Sequence, residues 1–215
     1  MPRRQKPSGK KTEFGAPRTI AALGRKSGKQ PPQKTMVIVC EGEKTEPLYF
    51  SSLRREYRLH AIRVIPGKRE GASLKVVERA VERQGKDVDE VWCVFDKEGK
   101  GDNPSFDKAV RVARQHGIQL AISNPAFEYW YLLHFECTDR PFRNADEVVA
   151  ALKSYIPRYD KSMAAFPQLR DRTDDAISNA QRLRERASEA WDSYPNPSTR
   201  VADLVNELRQ MKSEH

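Results

Sequence analysis

Acidic side chains follow two apolar runs in the first half of the chain. Glu41 comes directly after the run Met36–Cys40, while Asp96 and Glu98 follow Glu90–Phe95. In an extended chain, side chains two residues apart point to the same side, so Asp96 and Glu98 would face one way. Carboxylates in that arrangement repel each other unless a cation lies between them. Three oxygen ligands, completed by water and phosphate, suit Mg²⁺ or Mn²⁺ better than zinc.

A cation held by these acids would favour chemistry on phosphates. It can polarise a phosphoryl oxygen and stabilise the leaving oxygen of a phosphodiester, and a neighbouring acid with a raised pKa can serve as general acid or base. Glu41 favours this interpretation, because an acid directly after an apolar run has no helix-capping role. Glu43 and Glu46 instead favour a helix start, where the positive end of the helix dipole stabilises acids.

The elements that must position these acids form a sheet. The sequence predicts strands at 36–40, 61–65, 90–95 and 118–123. Helix-length segments separate them, which indicates right-handed crossovers and an α/β fold with a mainly parallel four-stranded sheet flanked by helices. Ligands of such sheets bind beyond the carboxyl ends of the strands. If the first and third strands are neighbours, about 4.8 Å apart, Glu41 joins the patch of Asp96.

The helices around this patch can also be predicted. Thr45 is expected to cap the first helix, with Pro47 in its first turn. The segment NPAFEYWYLLHF at 124–135 is expected to be a buried helix, in which His134 is a hydrogen-bonded core residue rather than a catalytic one. Residues 140–215 show helical patterns, proline breaks and no strand, so we expect a helical extension packed on an α/β domain at 36–139.

The net charge of +9 belongs to the first 35 residues. They hold ten Lys and Arg residues against the single acid Glu13, whereas residues 36–215 hold 29 basic and 29 acidic residues. Pro, Gly, Ser and basic residues dominate this segment, so residues 1–35 are predicted to be a disordered basic tail. Such a tail can neutralise nucleic-acid phosphates without reading bases. A purely solubilising role is the alternative.

The composition favours a cytoplasmic protein. Of its residues, 38% are hydrophobic and 32% are charged, and no apolar run approaches the roughly 20 residues that a membrane helix needs. The basic N-terminus is not followed by the apolar segment of a secretory signal. Three scattered cysteines, two of them inside strand-like runs, fit reduced thiols rather than disulfides or a zinc site.

Two motifs together resemble the Toprim pattern. The run VIVCEGEKTE has a Glu-Gly pair after the first strand, and VFDKE stands where Toprim domains have an Asp-x-Asp motif. Within that class the chain more closely resembles the RloB-like family, which is found beside restriction loci and is associated with phage defence. The segments that carry this resemblance are CEGEKTEPLYF, VFDKE, NPAFEYWYLLHFE and NPST, within about residues 36–200.

The resemblance implies a Mg²⁺ or Mn²⁺ site and a phosphodiester-cleaving activity. Glu41 matches the Toprim glutamate, as metal ligand or general acid/base, and Asp96 matches the first aspartate. Glu98 stands at the second aspartate, which is a departure because Glu is the longer side chain. These three are the predicted catalytic acids and metal ligands, and Glu128 in the third segment is a further metal ligand. The family also implies an ATPase partner encoded nearby.

The predicted function is a metal-dependent nuclease in antiviral defence, with nucleic acid as its substrate. Lys68 and Arg69 lie in the loop after the second strand and are predicted to contact nucleic-acid phosphates, although a solvated loop is the alternative. One rival function is a non-catalytic module that binds nucleic acid or a protein partner. A second rival is a nucleotide-binding α/β protein, but no G-x-G-x-x-G follows the first strand.

Overall fold

Five strands form one sheet in the computed structural model, which describes residues 34–68, 72–97, 103–188 and 193–213. In chain order the strands are β1 (Met36–Cys40), β2 (Ile62–Ile65), β3 (Glu90–Asp96), β4 (Gln119–Asn124) and β5 (Ser198–Thr199). Their order across the sheet is β2-β1-β3-β4-β5. The first four strands are parallel and β5 is antiparallel to β4. The predicted α/β class and mainly parallel sheet are confirmed.

Helices connect the parallel strands and continue after the last of them. They are α1 (Thr45–Glu56), α2 (Ser73–Val81), α3 (Pro104–Gln115), α4 (Glu128–Leu132), α5 (Ala145–Leu152), α6 (Phe166–Leu169), α7 (Thr173–Ala187) and α8 (Val201–Ser213). One helix lies between each pair of consecutive parallel strands, which gives the alternation that the sequence predicts.

Strand β1 is apolar throughout because both of its faces are covered. Val37 and Val39 pack in a core with residues of α2 and α3, whereas Met36, Ile38 and Cys40 pack in a second, larger core. All five side chains are fully buried. The alternation follows from strand geometry, in which successive side chains point to opposite faces. A strand with two covered faces therefore reads as a continuous apolar run.

The larger core joins the sheet to the helices of the C-terminal half. It contains Trp130 of α4, Leu152 of α5, Leu183 of α7 and Leu204 of α8. The division of the chain after residue 139 stays a prediction, and the predicted tail lies outside the described residues except for positions 34 and 35. Across the part of the chain that the structure describes, no helix is both long and apolar enough to cross a membrane.

The short strand β5 was not predicted. It pairs with the end of β4, placing Ser123 opposite Thr199 and Asn124 opposite Ser198. The hydroxyl oxygens of Ser123 and Thr199 are 2.9 Å apart and form a buried hydrogen bond. The prediction of a C-terminal segment without strands was therefore wrong. Two residues are too few to carry a readable alternation of apolar and polar side chains.

Candidate functional site

A cleft of about 470 Å³ opens at the carboxyl ends of β1 and β3. Strands β1 and β3 are neighbours, as the placement of the acids required. The acidic side chains that line the cleft are Glu41, Glu43, Glu46, Asp96 and Glu128. Its position agrees with the general location of ligand sites in parallel sheets.

Glu41 and Asp96 are held next to each other by the sheet itself. The Glu41 backbone N–H donates to the Val94 carbonyl oxygen at 2.9 Å, so hydrogen bonding to β3 continues one residue beyond β1. Asp96 is the last residue of β3, and its backbone N–H donates to Glu41 Oε2 at 3.1 Å. The pairing of two apolar strands therefore brings together two acids that lie 55 residues apart.

Gly42 makes room for a third carboxylate. Its backbone N–H donates to Glu46 Oε1 at 3.2 Å, and a Cβ at Gly42 would lie only 2.1 Å from Glu46 Oε2. Glu46 is only 6% exposed and lines the cleft. The sequence favoured a helix start over a ligand role for Glu46, and this interpretation missed its place in the cleft. A Glu-Gly pair four residues before an acid in the first helical turn is the local signal for such an arrangement.

Glu128 enters the cleft from the first residue of α4 and is 3% exposed. The Tyr159 hydroxyl donates to Glu128 Oε1 at 3.0 Å, and Lys161 Nζ lies 3.9 Å from the same oxygen. Tyr159 and Lys161 belong to the connection between α5 and α6, so the C-terminal half completes the site. Tyr159 was missed because no local pattern in the sequence relates it to Glu128.

Thr45 fixes that connection to α1. The expected side-chain cap is absent, because α1 begins at Thr45 and the preceding Lys44 makes no side-chain capping hydrogen bond. The Thr45 hydroxyl instead donates to the Lys161 carbonyl oxygen at 3.3 Å, and its own carbonyl accepts from the Tyr131 hydroxyl at 3.3 Å. The capping prediction was wrong because a contact with a segment 116 residues away takes the hydroxyl.

Burial and mutual repulsion raise the pKa values of two acids in the cleft. Burial is the largest cause of the raised pKa of Asp96, and the charges of Glu46, Glu128 and Glu41 raise it further. Burial likewise raises the pKa of Glu46 to about 7, with contributions from Glu128 and Glu41. The four carboxylates thus share one electrostatic environment, in which protons or a cation must offset their charge.

The family assignment rests on a comparison that covers most of the chain. The family model described as RloB-like protein matches residues 36–208, which include every acid of the cleft. The chain belongs to the RloB-like protein family. The resemblance drawn from the sequence motifs is thereby confirmed. No curated protein and no solved structure matched this RloB-like protein.

The other residues that the sequence singled out in the RloB-like protein lie in different places. Lys68 lies on the exposed rim of the cleft, together with Lys44 and Lys161. Arg69 and Glu98 lie outside the described residues. His134 is buried, with Nδ1 2.9 Å from the Trp130 carbonyl oxygen, and burial lowers its pKa to about 4. A neutral core histidine agrees with the sequence interpretation.

The donor chemistry of this RloB-like site fits Mg²⁺ or Mn²⁺, which prefer carboxylate oxygens. Within the described residues, no three acidic, His or Cys side chains form a ready metal-binding group. The acids already accept hydrogen bonds from the protein. Among these bonds are those from the Asp96 N–H to Glu41, from the Gly42 N–H to Glu46, and from the Tyr159 hydroxyl to Glu128. Side-chain rotations that turn these carboxylates toward a divalent cation would provide oxygen ligands, and the charge of the cation would offset their repulsion.

Proposed function

We propose that this RloB-like protein is a metal-dependent nuclease, or a related phosphodiester-cleaving enzyme, that acts in phage defence. The observation that carries the proposal is the group of four carboxylates, Glu41, Glu46, Asp96 and Glu128, in one cleft at the carboxyl ends of β1 and β3. The raised pKa values of Asp96 and Glu46 support it, because groups tuned in this way are characteristic of functional sites.

The acids of the cleft would hold Mg²⁺ or Mn²⁺. Glu41, Asp96 and Glu128 are the ligands that we assign, with Glu46 as an additional carboxylate and Glu98 as a further predicted ligand outside the described residues. A bound divalent ion would supply charge stabilisation for a phosphoryl oxygen and for the leaving oxygen. Tyr159 orients Glu128 through its hydroxyl, which fixes the direction of that carboxylate.

The lysines on the rim give the cleft its affinity for substrate phosphate. Lys44, Lys68 and Lys161 place positive charges around the acidic centre, so a phosphodiester can approach despite the carboxylates. Lys161 already lies 3.9 Å from Glu128, and its side chain is 59% exposed. It can therefore contact a phosphate that enters beside this acid.

We also propose that the protein acts in the cytoplasm together with an ATPase. The resemblance to the RloB-like family implies an ATPase encoded nearby, which would supply ATP hydrolysis, since this chain contains no G-x-x-x-x-G-K-[ST] motif. Regulation by such a partner would restrain a nuclease that is otherwise toxic to its own cell. The match of residues 36–208 to the RloB-like family supports this assignment.

A cleavage assay tests the proposed reaction. Wild-type protein, alone and with the neighbouring ATPase, is incubated with mixed DNA and RNA substrates in Mg²⁺, Mn²⁺ or EDTA. We expect cleavage in Mg²⁺ or Mn²⁺ that EDTA abolishes. Glu41→Gln and Asp96→Asn should reduce cleavage to background, because each removes a charged ligand from the cleft. Product analysis on denaturing gels gives the measurement.

Matched substitutions on the surface control for nonspecific effects. Glu56→Gln and Asp171→Asn make the same chemical changes at exposed positions, where the side chains are 49% and 87% exposed. These controls should cleave like the wild type, and thermal melting should show that all variants fold. Cleavage that persists in Glu41→Gln and Asp96→Asn would reject the assigned site.

A non-catalytic binding module is the second candidate function. Two observations favour it. The described residues hold no ready metal-binding group, and protein donors engage Glu41 and Glu128. This candidate predicts no cleavage under any metal condition with the ATPase present. It also predicts nucleic-acid binding that survives Glu41→Gln and Asp96→Asn and that falls steeply as salt rises.

A further inference from the structure

One aromatic ring is conspicuous on the surface of the C-terminal half. Tyr155 is 43% exposed, and no other large hydrophobic side chain among the described residues is exposed to this degree. Its ring stacks on Phe135, with centroids 4.8 Å apart and an angle of 8° between the planes. The other aromatic pairs in the described ranges meet edge-on or tilted. Phe135 covers one face of Tyr155, and much of the residue nevertheless stays exposed to solvent.

The orientation of this ring is fixed by its neighbours. The Tyr155 hydroxyl donates to Glu136 Oε2 at 2.8 Å. Phe135 packs against the larger core, and the Arg172 guanidinium lies 5.5 Å from the centre of the Phe135 ring. A flat ring that is already held in place loses little conformational entropy when another planar group stacks on it.

Tyr155 is only a few residues away in sequence from Tyr159, a residue that contacts an acid of the cleft. Tyr155 precedes Tyr159 by four residues in the connection between α5 and α6, and the Tyr159 hydroxyl contacts Glu128. Even a fully extended chain of four residues spans no more than about 14 Å. The turn from Ile156 to Tyr159 shortens this distance further, since the Tyr159 backbone N–H donates to the Ile156 carbonyl at 2.9 Å.

Lysines lie at both ends of the segment that joins the aromatic pair to the cleft. Hydrogen bonds from Ser162 are the main reason that the pKa of Asp160 is lowered, and the charges of Lys44 and Lys153 lower it further. Both lysines therefore lie near Asp160. Lys44 lines the cleft, while Lys153 is two residues from Tyr155. A strand that leads from Tyr155 to the cleft would have Lys153 near the ring and Lys44 at the rim of the cleft as its candidate phosphate contacts.

We propose that Tyr155 stacks on an unpaired base of a single-stranded nucleic acid whose phosphates contact Lys153 and Lys44 and lead into the acidic cleft. This inference rests on the proposed function and specifies its substrate as single-stranded DNA or RNA. Aromatic rings beside a basic path are the usual means of holding single strands, because every unpaired base offers a flat face. A paired base inside a duplex offers no such face to Tyr155.

Binding of oligonucleotides in EDTA tests the inference without cleavage. The full chain is titrated against DNA and RNA oligonucleotides of about 15 nucleotides that contain 2-aminopurine, and against blunt duplexes of the same sequence. We expect Tyr155→Ala to weaken single-strand binding by roughly 5- to 100-fold and to remove the stacking-dependent quenching of 2-aminopurine. Tyr155→Phe keeps the ring and should bind like the wild type. Duplex binding should be equal in all three proteins.

The phosphate path is tested by salt dependence. Lys153→Gln should reduce the slope of log affinity against log salt by about 0.7 for single strands, as expected for one lost phosphate contact. Lys75→Gln is the matched control, because Lys75 is exposed on α2, which packs in the other core. This control should leave the slope unchanged. Equal slopes for the Lys153 variant and the wild type would reject the assigned path.

The outcomes separate this inference from the proposed nuclease. Equal single-strand binding by Tyr155→Ala and wild type would overturn the inference, and so would a loss that affects duplexes and single strands alike. If the wild type cleaves and Tyr155→Ala binds and cleaves like it, the nuclease proposal is supported and the stacking site is rejected. If no metal ion supports cleavage but 2-aminopurine quenching is lost only in Tyr155→Ala, the stacking site is supported and the nuclease proposal is rejected. Parallel DNA and RNA titrations identify the preferred strand.

Discussion

Replacing Glu46 by Gln should stabilise the metal-free protein at about pH 8 by on the order of 2 kcal/mol. Gln keeps an oxygen that can accept the hydrogen bond from the Gly42 backbone N–H, but it removes a buried negative charge. That charge is also the largest charge contribution to the raised pKa of Asp96. The substitution therefore relieves repulsion without creating a cavity.

The predicted gain depends on pH in a defined direction. The pKa of Glu46 rises from an ordinary 4.5 to about 7 in the folded protein. The folded state therefore retains a proton that the unfolded state releases, and this stabilising contribution is fully present below about pH 4.5. The wild type loses it as the pH rises through about 7. Gln does not titrate, so the variant should lack this part of the decline.

Urea denaturation of the wild type and Glu46→Gln in EDTA, at about pH 5 and about pH 8, measures this effect. The difference in the free energy of unfolding should be larger at the higher pH. Glu56→Gln on the same helix is the matched control, because Glu56 is 49% exposed and its variant should change stability little. A stability difference that is the same at both pH values would contradict the prediction.

Bound metal should reverse the stability difference between Glu46→Gln and the wild type. Mg²⁺ or Mn²⁺ that binds only the folded state raises the free energy of unfolding according to its concentration and affinity. The wild type should gain more than Glu46→Gln, because the variant has one carboxylate fewer. We also expect cleavage by the variant to fall by about 10- to 100-fold. An equal metal-induced gain in the two proteins would remove Glu46 from the metal-binding set.

Replacing Gly67 by Ala should destabilise the protein by about 3 kcal/mol and lower any cleavage activity by about 100-fold. A Cβ at Gly67 would lie 1.6 Å from the Glu41 carbonyl oxygen and 2.4 Å from its carbonyl carbon. Backbone atoms cannot rotate out of the way as a side chain can. The loop after β2 must therefore move, or Glu41 must shift away from Asp96.

The close approach of Gly67 to the segment after β1 also includes a backbone hydrogen bond. The Gly67 N–H donates to the Gly42 carbonyl oxygen at 2.9 Å, so movement of the loop would break this hydrogen bond as well. Urea denaturation and the cleavage assay measure the two effects. Gly85→Ala is the matched control, because a Cβ there meets nothing within 4 Å. If the Gly67 variant were as stable and active as this control, the proposed role of the close approach would be wrong.

The sequence by itself determined the class of the fold and two of the five acids that line the cleft. The apolar runs at β1 and β3 predict buried strands, because strands covered on both faces contain few polar residues. Their alternation with helices predicts a parallel sheet, and that geometry brings Glu41 and Asp96 to one edge. Glu128 was identified from the family resemblance, since its own helix gives no local sign of a site.

Only the tertiary structure decided how the cleft is completed. The Tyr159 hydroxyl and the Lys161 ammonium reach Glu128 from a connection about 30 residues further along the chain. Glu46 turns back to Gly42 although its position also suits a helix start. The physical reason is that apolar periodicity encodes which faces are buried, whereas contacts between distant polar side chains depend on how the elements pack. Folding brings these side chains together without leaving a repeating pattern in the sequence.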